Sequence, residues 1–264
     1  MAAIELAFSV EAKFRRKTEF MPTTLLPELG PWLVCAMTVF VGTLVQRLSG
    51  AGYGMFAAPV MALVAPEWLP GTVVLVGFFI GAGSLLNARD AVEWRDLPPG
   101  FAGRILGAGI AAYIAAAVVG TDALAIIVGF VVLFAVALTV LGLTFPISGG
   151  SLFIAGGVGG VMGTLTGIGA PPMAILYSNV ETRRAAATQN AFYGFGTFVA
   201  IIALAVAGVL TLPQLAFAAT LAPLVPFALW ASRPLAVRFE RGAIRPWALG
   251  MATVSAFVLL SRSF

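Results

Sequence analysis

The sequence predicts an all-α integral membrane protein built from two inverted-topology repeats, each of about five helical elements and each opened by a re-entrant or broken helix hairpin. Three observations predict it. The chain of 264 residues is 60% hydrophobic and 10% charged, whereas a soluble domain carries roughly 25% charged residues. Its mean hydropathy of +1.02 sits in long apolar runs that suit spanning helices, without the alternation of barrel strands. Finally, two glycine-broken segments recur in the same order, one in each half of the chain.

Residues 1–30 read as an N-terminal tail. MAAIELAFSVEAKFRRKTEF lacks the continuous apolar core and small-residue cleavage site of a secretory signal. It suits either a short helix lying on the membrane surface or a disordered segment. The first repeat, 31–146, holds a helix over 31–48, a glycine break, a short helix over 53–65 and a helix over 71–87. A charged loop over 89–96 follows, then helices over 101–119 and 123–143. The second repeat, 147–264, runs in the same order: 151–165, a glycine break, a stub at 171–179, then 184–207, 213–231 and 244–260. VGTLVQRLSGAG at 41–52 aligns with VGGVMGTLTGIG at 158–169, and PVMAL at 59–63 with PMAIL at 172–176.

Charge sets the expected orientation. Basic residues favour the cytoplasmic side, which places the loop over 89–96 inside, together with Arg183, Arg184, Arg233, Arg238, Arg241 and Arg245. Asp122 and the C-terminus then fall outside. This makes the halves antiparallel, although it leaves Lys13, Arg15, Arg16 and Lys17 outside, against the bias.

The breaks, SGAGYG at 49–54 and TGIGAP at 166–171, are the candidate site. Unwound backbone at membrane depth must be shielded by protein or line a cavity. A helix that starts there presents free N–H groups and a positive dipole end, which favours a small anion. Glycine-rich stretches also serve plain helix packing, the reading given to Gly77/Gly81, Gly103/Gly107 and Gly156/Gly160. A matched pair of breaks tips the balance toward a ligand. The candidate binding residues are Arg47, Ser49, Gly50, Gly52, Tyr53, Thr166, Gly167, Gly169, Gln189 and Asn190, with Gln46 and Thr164 adding neutral donors. Arg47 either lies at depth, where its fork would hold an oxyanion, or is an interfacial charge. Gln189, Tyr193 and Thr197 share one helix face, toward substrate or toward another helix.

Other chemistries lack their residues. The chain has no histidine, so histidine relays and Ser-His catalysis are excluded, and no phosphate-binding G-x-x-x-x-G-K-[ST] stretch occurs. Cys35 is the single cysteine, so no disulfide forms within the chain. Neither a cofactor nor a nucleic-acid partner is expected. The formal net charge of +4 reflects membrane-edge arginines rather than a basic, aromatic-interleaved surface. The expected partners are a small anionic substrate and the lipid bilayer, with homo-oligomerisation open.

At the breaks the chain resembles the sulfite exporter (TauE/SafE-like) family of bacterial membrane transporters. GTLVQRLSGAGYGMFAAP at 42–59 and GGVMGTLTGIGAP at 159–171 are similar to the family's two signatures, and ETRRAAATQNAFY at 181–193 also fits. Ala170 and Tyr53 depart from the more usual glycine and phenylalanine. The resemblance spans 31–260 and carries over Gly50, Gly52, Gly167 and Gly169 most directly. It implies a multi-pass protein of the bacterial inner membrane that exports a small sulfur-containing oxyanion, sulfite or an organosulfonate. The residues themselves argue only for an anion. A passive anion channel and a non-transporting assembly protein are the alternatives to a carrier.

Overall fold

The computed structural model describes residues 24–49, 52–86, 88–238 and 241–263, and every regular element among them is helical. The helices are α1 (Leu29–Ser49), α2 (Tyr53–Val64), α3 (Gly71–Leu86), α4 (Leu97–Val118), α5 (Asp122–Val140), α6 (Gly149–Thr166), α7 (Pro171–Leu176), α8 (Thr182–Val206), α9 (Leu212–Leu221), α10 (Leu224–Arg238) and α11 (Arg241–Ser263). Short 3-10 turns lie at Pro66–Trp68 and Arg89–Ala91. The tail over 1–23, Gly50 and the side chain of Ser49 lie outside the described residues.

Six stretches among the described residues are long and apolar enough to cross a membrane: Leu29–Arg47, Leu97–Val118, Ala123–Val140, Gly149–Thr166, Thr182–Val206 and Leu212–Ser232. Large apolar side chains also stand on the outside of the bundle, Ile110, Tyr113, Phe130 and Val206 among them. A soluble monomer does not present such a surface, and a bilayer covers it at no cost. The protein is an all-helical membrane protein.

In each half a helix long enough to span is followed by a glycine break and a short helix. At about 1.5 Å per residue, α1 and α6 reach about 31 and 27 Å, and α2 only about 18 Å. Glycine makes the breaks possible. Gly52 precedes α2 at φ 144, and Gly167 ends α6 at φ 76 with its N–H on the Gly163 carbonyl; side chains disfavour both conformations. Pro171 and Pro172 then open α7, where a missing N–H costs nothing. Glu181 caps α8 by accepting from Arg183 N and Arg184 N, so this helix begins two residues before the predicted 184.

One predicted helix is divided. The helix expected over 213–231 is two, α9 and α10, separated by a turn at Ala222–Pro223. Pro223 has no amide to continue the ladder, and its ring crowds the preceding turn.

Glycine contacts draw the helices together. A Cβ on Gly100, Gly103 or Gly107 of α4 would run into the backbone of α6 at Leu152–Gly160 or nearby side chains, and one on Gly81 of α3 would lie 2.6 Å from Gly194 Cα of α8. Gly156 and Gly160 meet α4 in return, and Gly77 meets the Tyr193 hydroxyl. Gly77, Gly81, Gly103, Gly107, Gly156 and Gly160 thus pack helix against helix, the role read for them in the sequence.

Candidate functional site

The two glycine breaks meet. A methyl group on Gly54 would overlap the Gly167 carbonyl and come within 2.9 Å of Ile168 N. Beside this contact lies a narrow crevice, partly open to solvent, lined by Gln46, Gly52, Gly54, Met55, Gly167, Ile168, Gly169, Ala170, Pro171 and Tyr193. As it stands it has room for little more than one water molecule.

Hydrogen bonds stitch its walls. Gln46 Oε1 accepts from Tyr53 N at 3.1 Å, and Gln46 Nε2 donates to Asn190 Oδ1 at 3.2 Å. One amide thus holds the start of α2 against α8. In the second break, Thr166 Oγ1 donates to the Met162 carbonyl at 2.7 Å and accepts from Ile168 N at 3.2 Å. The Tyr193 hydroxyl reaches the Gly167 carbonyl at 3.4 Å. Three buried oxygens of residues in or next to these segments, Tyr53 Oη, Thr164 Oγ1 and Gln189 Oε1, have no hydrogen-bond partner among the described residues, which is uncommon for buried polar atoms.

The predicted residues therefore divide. Gly52, Gly167 and Gly169 line the crevice; Tyr53, Thr166 and Asn190 bond to groups that line or shape it. Gln189 is buried on α8 next to Asn190. Arg47 points elsewhere: its Nη1 donates to the Leu229 carbonyl and, at 2.9 Å, to Ser232 Oγ of α10. It ties the end of α1 to α10 and does not line the crevice.

An unforeseen arginine lies behind the second break. Arg104 of α4 is 0% exposed. Its Nη1 donates to the Gly159 carbonyl and reaches the Gly169 carbonyl at 3.5 Å, and Cζ lies 5.3 Å from the Phe192 ring centre. Neither ion pair found among the described residues involves it. Four glycines make its room: a Cβ on Gly163, Gly169 or Gly196 would overlap the guanidinium, and one on Gly159 would press on it at 3.2 Å. The expected helix start at 101 placed Arg104 in a first turn, where an arginine is unremarkable. The helix in fact starts at Leu97, which puts Arg104 two turns inside. Pro98–Pro99, a natural helix opening, was the available signal.

At one end of the bundle the charged loop meets the start of α8. Arg183 pairs with Asp90 at 2.5 Å and Arg184 with Glu93. Glu93 N donates to Thr188 Oγ1 at 2.9 Å, and the Tyr177 hydroxyl donates to Asp96 Oδ2 at 2.7 Å.

A family model described as sulfite exporter TauE/SafE matches residues 34–259. No curated protein and no solved structure matches the chain.

Proposed function

This chain belongs to the sulfite exporter TauE/SafE family of membrane transporters, and from that premise we propose that it carries a small oxyanion, sulfite or an organosulfonate, outward across the bacterial inner membrane. The anion binds in the crevice where the two glycine breaks cross, and the halves 31–146 and 147–264 alternate its access by moving against each other. The observation that carries this reading is the contact of Gly54 with Gly167–Ile168. Gly54 in the first turn of α2 and Gly167 at the end of α6 are 113 positions apart in sequence, and their contact brings the two breaks to one place beside the crevice.

The contacts support the inverted plan. Exchanging the halves maps the pairing of α4 with α6 onto that of α10 with α1, and α2 with α11 onto α7 with α5. The pairs α3–α8 and α5–α11 map onto themselves. The equivalents α3 and α8 run antiparallel, since Gly77 lies near Thr197, Gly81 near Gly194, and the loop after α3 near the start of α8. Antiparallel mates are what inversion requires.

Tyr53 N, Gly167 N and Ile168 N, which donate to Gln46, Gly163 and Thr166 in this structure, are amides that an anion binding here would draw from those partners. Purified protein in vesicles should give sulfite flux that saturates and shows counterflow. Flux that stays linear in concentration without counterflow would mean a passive channel. No flux, together with no thermal stabilisation by any of sulfite, sulfonates, sulfate, chloride or carboxylates, would leave an assembly protein.

A further inference from the structure

We infer that Arg104 is the cationic member of the anion site and binds the transported oxyanion through the side-on fork of its guanidinium. The inference rests on the transport reading above and names the charge that reading lacks.

The fork is identifiable atom by atom. Nη1 is engaged by the Gly159 and Gly169 carbonyls. Nε and Nη2, the remaining pair that lies along one edge of the guanidinium, have no hydrogen-bond partner among the described residues. That edge is the one that grips two oxygens of a carboxylate, phosphate or sulfonate in parallel. A buried cation without a counter-charge costs several kcal/mol even after relaxation. Among the described residues the charge meets carbonyls, the face of Phe192 and glycine backbone. Charged residues inside a membrane bundle pair with one another or with backbone carbonyls and mark substrate or ion pathways; here the carbonyls take Nη1 only, and the fork is left.

Position agrees with the role. The carbonyl of Gly169 faces Arg104, and Gly169 also lines the crevice, so one residue separates the cation from the proposed cargo. Gly163 of α6 and Gly196 of α8 press closest on the fork. An anion reaches it as α6 and α8 separate, which couples binding to movement of the second half. The geometry selects the cargo: at least two oxygens on one centre, as in sulfite and sulfonates, in preference to a spherical halide.

The test is sulfite transport by the full chain in vesicles, with R104Q and R104K compared with wild type, and thermal unfolding of each in detergent with and without sulfite. R104Q is expected to raise the KM for sulfite by about tenfold or more, as loss of charge-assisted hydrogen bonds implies, and to lose stabilisation by sulfite. R104K keeps the charge without the fork and should fall between. An unchanged KM in R104Q, with saturable wild-type flux, overturns the inference and leaves the transport reading standing; absence of saturable flux in wild type defeats both. If neither variant can be purified folded, wild type decides. Sulfite and methanesulfonate should stabilise it while bromide at the same concentration does not, and equal stabilisation by bromide overturns the fork.

Discussion

Gly54 of the first half and Gly167 of the second touch backbone to backbone, with no room for a methyl group between them. The contact joins the two breaks. Replacing Gly54 with alanine sets a side chain against a carbonyl that has no flexible end to yield. Overpacking of this kind costs about 1–3 kcal/mol. G54A should melt earlier in detergent and lose sulfite flux in vesicles. Wild-type melting and flux would show that the contact is looser than described.

Gln46 bridges Tyr53 N and Asn190 Oδ1. Q46L removes both bonds and leaves two buried polar groups without them, at about 1–3 kcal/mol for each. N190L removes one end of the same bridge. The two substitutions should therefore be non-additive, with the double variant costing less than the sum by at least about 0.5 kcal/mol. Strict additivity in denaturation measurements would separate the two residues.

Arg47 fastens α1 to α10 through Leu229 and Ser232. Because it lies off the crevice and ties two helices together, R47A should destabilise the protein by about 1.5–3 kcal/mol for the loss of charge-assisted bonds and lower the maximal rate of sulfite transport, with KM little changed. The split between Arg47 and Arg104 is the informative result. A raised KM in R47A at unchanged maximal rate would return Arg47 to the binding site.

The Arg183–Asp90 pair is 62% and 64% exposed, and exposed pairs contribute less than about 1 kcal/mol. D90N should shift the melting point only slightly and leave flux intact. A large loss of transport with normal stability would instead make this end of the bundle a gate.

Much of the fold was legible in one dimension. Composition alone gave the class, because 10% charged residues leave too little to cover a water-facing surface. Both breaks were legible from glycine and proline punctuation, since Gly52, Gly167 and Pro171 act through their own backbone preferences whatever surrounds them. Pro223 carried the same kind of signal, and only its placement within an apolar run concealed the division into α9 and α10.

The sequence by itself determined that this is a helical membrane protein with two matched glycine breaks, because chain composition and local backbone rules decide those features. Only the tertiary structure decided that Gly54 meets Gly167, that Arg47 turns to α10 and that Arg104 stands behind Gly169. The reason is physical. A helix that is apolar all round carries no periodic stripe to mark its inner face, so the direction of each side chain is set by the neighbours it packs against.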